Sequence, residues 1–211
     1  YSSLSKIQSD NKAFVYYYEK ITTFLTVLFG FLTLFVLIYS KNIIYILYGE
    51  SWLDSDFYLK ILIVSSFFYT QELFNQVIFK IFNETQKILY LEILKKIIQI
   101  VPLIVGVFIL SIKVIMFGFL ATSIVSSVIN IYVSSNQIKT SAATTIKRLF
   151  GIIISVFISY LAVSVLIDLY NVKANNTIFF LPLIIVVYFF LLRVLDIYNV
   201  VDFIRNFLKK H

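Results

Sequence analysis

The feature that most restricts this chain is a series of long apolar runs free of charge. Residues 21–40 contain no Asp, Glu, Lys or Arg. At 1.5 Å of rise per residue, a helix of that length crosses a hydrocarbon core of ~30 Å. Four charge-free runs of eighteen residues or more occur along the sequence, at 21–40, 114–138, 149–167 and 174–192, which argues against a water-soluble bundle. Composition agrees: the chain is 60% hydrophobic and 14% charged, where a soluble domain is about a quarter charged. The expected fold is therefore all-α, a polytopic transmembrane bundle.

The chain divides as follows. Residues 1–20 are polar and aromatic, with Lys6, Lys12 and Lys20 among Tyr and Phe, and read as an amphipathic helix on the membrane surface leading into the first span. That span covers 21–40. After Lys41 comes a piece too short to cross, with Tyr45, Tyr48 and Trp52 at headgroup level and Gly49 as a stop. Asp54 and Asp56 open the second span, about 57–82, since acids suit the first turn of a helix. The third and fourth spans, about 88–110 and 114–134, are separated by 111–113 and form an antiparallel hairpin. Together, 21–135 make a four-span domain. A polar cytoplasmic linker covers 136–149. Two further spans, 150–167 and 178–195, occupy the stretch 150–195. The tail, 196–211, reads as an interfacial amphipathic helix, with Val200, Phe203, Ile204, Phe207 and Leu208 on one side.

Six spans can be tested against charge. With alternating sides, fourteen of the eighteen Lys and Arg residues fall on one side of the membrane and four on the other. The positive-inside rule then places both ends of the chain in the cytoplasm. It also accounts for the net charge of +7 without nucleic acid as a partner. The sequence starts at Tyr1, without a secretory signal, and reads as a piece whose N-terminal part is missing.

Most catalytic chemistry lacks its residues here. The chain has no cysteine, and its one histidine, His211, is the last residue, so thiolate or imidazole metal sites and Cys–His or Ser–His pairs are not expected. No Gly-rich phosphate loop or nucleophile motif is present. The chain is expected to be no enzyme, with no metal and no cofactor.

One stretch, 71–99, sets charge within apolar sequence. Glu72, Asn75 and Gln76 are spaced 0, 3 and 4, one face of a helix, and Glu92, Lys95, Lys96 and Gln99 are spaced 0, 3, 4 and 7. Glu72 lies about ten residues from the cytoplasmic end of its span, roughly 15 Å deep. An ionised carboxylate facing lipid there would cost ~2.5–3.5 kcal/mol on insertion scales, so it must face protein or a wet cavity. Glu72, Asn75 and Gln76 are candidates for a cavity that takes a proton, a cation or a polar substrate group. The alternative is an interhelical hydrogen-bonding group that holds the bundle together. Lys95 and Lys96 read as shallower. Glu92 can pair with them at i+3 and i+4, and they serve either as snorkelling anchors or as a site for a lipid diphosphate. Ser65, Ser66, Ser123, Ser126 and Ser127 have the spacing of close helix packing.

Two segments carry a resemblance. Leu47-Tyr48-Gly49-Glu50-Ser51-Trp52 and Leu91-Glu92-Ile93-Leu94-Lys95-Lys96-Ile97-Ile98 resemble the C-terminal half of bacterial Wzx-type polysaccharide flippases, exporters of the multidrug/oligosaccharidyl-lipid/polysaccharide superfamily. Phe117-Gly118 and Ile129-Asn130-Ile131-Tyr132 are similar to the span that follows. The likeness covers most of 1–140. Where that family often has Gly-Arg after the second of these spans, this chain has Asn83-Glu84. Asn tolerates the left-handed backbone that Gly would supply, so the turn is expected to survive, while a basic contact from that position is put in doubt.

The resemblance implies a protein about twice this length, two six-helix lobes around a cavity plus two extra helices. On that view the chain supplies the second lobe and the additional pair. It also implies a place in the bacterial inner membrane and flipping of an undecaprenyl-diphosphate-linked oligosaccharide by alternating access, for lipopolysaccharide, O-antigen or another surface polysaccharide. The partners would be the lipid-linked oligosaccharide, membrane lipids and the N-terminal lobe, with H+ or Na+ as possible coupling ions. Two other functions stay open: a cation-coupled drug or metabolite antiporter, with Glu72 as the coupling acid, and a membrane-embedded polysaccharide polymerase or acyltransferase. The short outer loops speak against the last.

Overall fold

The computed structural model describes residues 2–170, 177 and 179–198. Among them there is no β-strand, and the all-helical fold expected from the sequence is what the structure shows. A short α1 (Ser2–Ser5) is followed by α2 (Asn11–Tyr48), a 3-10 turn (Glu50–Ser55), α3 (Asp56–Ile81), α4 (Thr85–Phe108), α5 (Ile112–Gln137), α6 (Ala142–Leu169) and α7 (Leu181–Val194).

The surface is apolar and the interior holds much of the polarity. Leu110, Phe108 and Ile46 are 90%, 84% and 79% exposed, whereas Glu72, Ser127, Asn130, Ser155 and Ser159 are each 0% exposed. Burial of that kind inverts the distribution of a soluble protein and suits a bundle in lipid. Among the described residues, three helices are both long and apolar enough to cross a membrane: Asn11–Tyr48, Ile112–Gln137 and Ala142–Ile167, with mean hydropathies of 2.5, 2.0 and 2.6. α3 and α4 have spanning length, 26 and 24 residues. They are less apolar because the charged stretch falls inside them. α7, the last of the six expected spans, is a shorter apolar helix of 14 residues.

Several boundaries differ from expectation for local reasons. The separate surface helix over 1–20 does not form. Asp10 Oδ1 accepts the backbone N–H groups of Lys12 and Ala13 at 3.1 Å each, an N-cap that starts α2 at Asn11. No proline follows before Gly49 and Gly30 stays helical, so the lead-in, the first span and the piece after Lys41 form one helix. Gly49, with φ 85°, ends it in a conformation that costs glycine nothing. The polar linker 136–149 is likewise mostly helix, because 142–149 carry no Gly or Pro and continue into the apolar run. Asn83 adopts φ 58°, so the α3–α4 turn takes the left-handed residue the sequence allows. The expected amphipathic tail largely lies outside the described residues.

The chain forms two compact units: Tyr1–Leu25 with Phe57–Ile146, and Thr26–Asp56 with Lys147–His211. The expected four-span domain 21–135 is thus divided, and the second half of α2 groups with the region of α6 and α7. The reason is visible at Gly30. A Cβ at that position would meet the Tyr188 hydroxyl at 2.5 Å, so only glycine admits the phenol, which is 0% exposed and donates to the Val27 carbonyl at 2.9 Å. Gly30→Leu should displace the ring and strand its hydroxyl, at a cost of about 1–3 kcal/mol. A lowered thermal midpoint in detergent for this variant checks the expectation, and an unchanged midpoint would refute it.

In the first unit, Leu4, Phe14, Tyr18, Ile78, Ile81 and Ile138 form an apolar core at the end nearest the α3–α4 turn. Phe14 meets Phe82 edge to face with centroids 5.4 Å apart. α4 and α5 pack closely through two notches. A Cβ at Gly118 would lie 2.1 Å from Pro102 Cβ, and one at Gly106 would lie 2.3 Å from Ile115 Cγ1. Pro102 therefore stands within α4 with its ring seated against the Gly118 backbone, a small-residue contact of the kind that joins helices in membranes.

Candidate functional site

Among the fully buried polar groups of the first unit, Glu72 carries a carboxylate. It is 0% exposed, and its Oε2 accepts from Lys95 Nζ at 2.9 Å. Hairpin geometry explains the meeting. Glu72 stands nine residues before Ile81, the end of α3, and Lys95 ten after Thr85, the start of α4. In an antiparallel pair, residues equally far from the turn share one height. The same register joins Gln76 Nε2 to Glu92 Oε1 at 3.0 Å.

This corrects the separation of the two charged stripes by depth. α4 begins at Thr85 rather than 88, so Lys95 and Lys96 lie at its middle. Lys95 is 9% exposed, does not reach the surface, and pairs with Glu72 rather than with Glu92. Its ammonium also lies over the Tyr69 ring, 4.3 Å from the centroid, a second stabilising contact for a cation out of water. Lys96 points elsewhere: it is exposed and donates to Gln99 Oε1 at 3.3 Å. The two lysines are therefore in different environments and do not form a matched pair of phosphate ligands.

Asn75 acts as a staple. Its Oδ1 accepts from Ser134 Oγ at 2.6 Å and from the Tyr18 hydroxyl at 3.3 Å, while its Nδ2 donates to the Gln71 carbonyl at 2.6 Å. One amide thus ties α3 to α5 and to the start of α2.

α5 brings a polar edge that the sequence reading named only in part. Gly118, Thr122, Ser126, Asn130 and Ser134 recur every four residues and are all buried. A strict four-residue period of small and polar side chains was legible, but apolar neighbours mask it when spans are read as whole blocks. Ser126 stands beside the Glu72 carboxyl. Asn130 Nδ2 donates to the Ser126 carbonyl at 3.0 Å. Lys95, Ser126 and Asn130 share a shallow crevice between α4 and α5 with four apolar residues. Glu72 Oε1, Asn130 Oδ1 and Ser127 Oγ are buried without a hydrogen-bond partner among the described residues. Two of the three can only accept a hydrogen bond when the carboxyl is ionised. Chemically, the site is a buried ion pair flanked by oxygen atoms that call for a donor.

At the turn, Glu84, Lys87 and Gln137 form a smaller cluster. Lys87 Nζ pairs with Glu84 and donates to Gln137 Oε1 at 2.6 Å, and Gln137 Nε2 donates to Glu84 Oε1 at 2.8 Å. The Lys87 hydrogen bond, helped by Gln137, holds the Glu84 carboxyl below its ordinary range. Because the charged form is the one favoured, this bracing is complete at neutral pH. It is lost only as pH falls through the depressed value.

Among described residues, no group of three or more His, Cys, Asp or Glu side chains could hold a metal ion.

With this geometry in view, comparison with known proteins is informative over one segment. A family model described as a polysaccharide biosynthesis protein matches residues 1–57. The match supports a polysaccharide-biosynthesis family. It spans α1, α2 and the turn that follows, and the Glu72–Lys95 site lies beyond it. No curated protein and no solved structure matches the chain. Helices able to cross a bilayer and this family match together indicate a membrane protein with a role in polysaccharide biosynthesis.

Proposed function

We propose that the chain is part of a transporter that moves lipid-linked oligosaccharide, carried on undecaprenyl diphosphate, across the bacterial inner membrane. The observation that carries this reading is the buried Glu72–Lys95 pair at mid-height of α3 and α4, set in a chain whose first 57 residues match a polysaccharide-biosynthesis family. A sugar-bearing, charged headgroup cannot enter hydrocarbon alone. Its carrier needs polar groups held deep in the bundle by protein, and α3, α4 and α5 supply them. Glu72 with Lys95 are the groups proposed to change partners during transport, while Asn75 and Gln76 hold the helices around them. The work is binding and release between two access states, with no covalent step, and both ends of the chain are placed in the cytoplasm.

The unpartnered Glu72 Oε1 favours one secondary reading, in which a proton or cation exchanges at this carboxyl and drives transport.

Loss of the full-length protein should accumulate lipid-linked oligosaccharide in the inner leaflet and deplete surface polysaccharide. Glu72→Gln keeps shape and an acceptor for Lys95 but removes the charge. It should lower surface polysaccharide several-fold at an unchanged protein level. Normal polymer display in that variant would reduce Glu72 to a packing role.

A further inference from the structure

Two buried side chains of the first unit line one crevice and have complementary hydrogen-bonding capacity to spare. Asn130 on α5 is 0% exposed. Its Nδ2 donates to the Ser126 carbonyl at 3.0 Å, which fixes the amide and leaves Oδ1 as its unpartnered end. Lys95 on α4 has three N–H donors. One goes to Glu72 Oε2 at 2.9 Å and the ammonium lies over the Tyr69 ring, so a donor is left over. The crevice that both residues line, with Ser126 and four apolar residues, is too tight to admit a water molecule. A donor for Asn130 Oδ1 therefore has to come from the walls. Ser126 stands beside the Glu72 carboxyl, and the apolar walls have none to give. Lys95 is the side chain that remains. Register brings it near: with Leu110 at the centre of the α4–α5 turn, Lys95 stands fifteen residues before it and Asn130 twenty after. In an antiparallel pair that offset is roughly 7 Å along the axis, toward the start of α4. Helical side chains lean toward the N-terminus of their own helix, which for Lys95 is the direction of Asn130. The four-carbon stem of lysine covers most of that step.

We propose that Asn130 Oδ1 is the second seat of the Lys95 ammonium, to which Lys95 swings from Glu72 during transport. Asn130 is then a positioning residue that acts through Lys95. The inference rests on the transport reading above and names the partner that Lys95 takes when it leaves Glu72. An amide oxygen suits the role. It accepts an ammonium without bringing a charge of its own, so it holds the cation less tightly than a carboxylate does and lets it return. The swing requires the Glu72 charge to be met by a proton or another cation, because an ionised carboxylate at 0% exposure is costly without a partner. With Lys95 on Asn130, the Glu72 carboxyl and the face of Tyr69 are released together.

Two sets of variants of the full-length protein test this. The first asks whether Lys95 reaches position 130, read as the thermal midpoint in detergent. Glu72→Gln leaves a buried ammonium without a counter-charge, and Asn130→Asp sets two carboxylates against one ammonium, so each should lower the midpoint. Glu72→Gln/Asn130→Asp moves the counter-charge across the crevice, and its midpoint should stand above that of either single variant. A double variant that loses the sum of the two single losses would show that Lys95 does not reach, and would overturn the second seat. The second set asks whether the seat is used. Asn130→Leu has similar volume and removes a buried acceptor that lacks a partner, so its midpoint should hold or rise. Surface polysaccharide per folded protein should nevertheless fall several-fold. A lowered midpoint with an unchanged polymer level per folded protein would make Asn130 a packing residue and overturn the proposal. An unchanged midpoint with normal surface polysaccharide would also overturn it, while leaving the transport reading standing. If loss of the whole protein leaves the oligosaccharide distribution unchanged, the transport reading fails and this role for Asn130 fails with it.

Discussion

Lys95→Met should destabilise the first unit by on the order of 3 kcal/mol. Without the ammonium, Glu72 remains 0% exposed with neither carboxylate oxygen paired. Glu72→Gln is milder, because the amide oxygen still accepts from Lys95 and the Tyr69 ring still faces the ammonium. The double variant Glu72→Gln/Lys95→Met removes both charges and should recover most of the loss. A buried pair costs more when half of it is deleted than when it is removed whole. Denaturant unfolding of the full-length protein in mixed micelles reads all three. If the double variant loses the sum of the two single losses, the residues are uncoupled and the proposed pairing is wrong.

Gly118→Val is the second large effect, and its cause is steric. The new Cβ would stand 2.1 Å from Pro102 Cβ and 2.6 Å from Pro102 Cγ, with Pro102 Cα at 3.5 Å. The first two distances are impossible and the third is ordinary contact, so α4 must move away from α5 or the ring must go. Overpacking of this kind costs about 1–3 kcal/mol, and in a membrane hairpin joined through its small residues it should sharply reduce the yield of folded protein. Pro102→Gly in the same chain clears the obstructing atoms and should restore yield. Size-exclusion profiles of the detergent-extracted protein report the result. Failure of Pro102→Gly to rescue, with Pro102→Gly alone well folded, would mean that the clash lies elsewhere.

Both effects arise in the α3–α4–α5 region, and they separate what was legible in the sequence from what was not. Helix existence was legible because uncharged runs of spanning length leave the backbone no other way to satisfy its hydrogen bonds in hydrocarbon. The turn at Asn83 was legible as well, from the tolerance of asparagine for positive φ. The starts and ends of α2 and α6 were less so. Helices continue through polar sequence wherever no Gly or Pro stops them, and the sequence reading ended them where apolarity ended.

The polar residues of 71–99 were visible as outliers, but their partners were not. Periodicity assigns Glu72 and Lys95 each to a helix face, yet it says nothing of the axial height at which two helices meet. A shift of three residues at the start of α4 was enough to move Lys95 from an expected surface anchor to the middle of the bundle. Lys96, its immediate neighbour, points about 100° away around the helix and is exposed where Lys95 is 9% exposed. The chain alone thus establishes a helical membrane protein with charge placed at depth, because hydrophobic length and charge are local quantities. Which charges face each other, and which stay exposed, depends on helix register and rotation. Those come from packing contacts between residues far apart in sequence, such as Asn75 with Ser134 and Gly118 with Pro102.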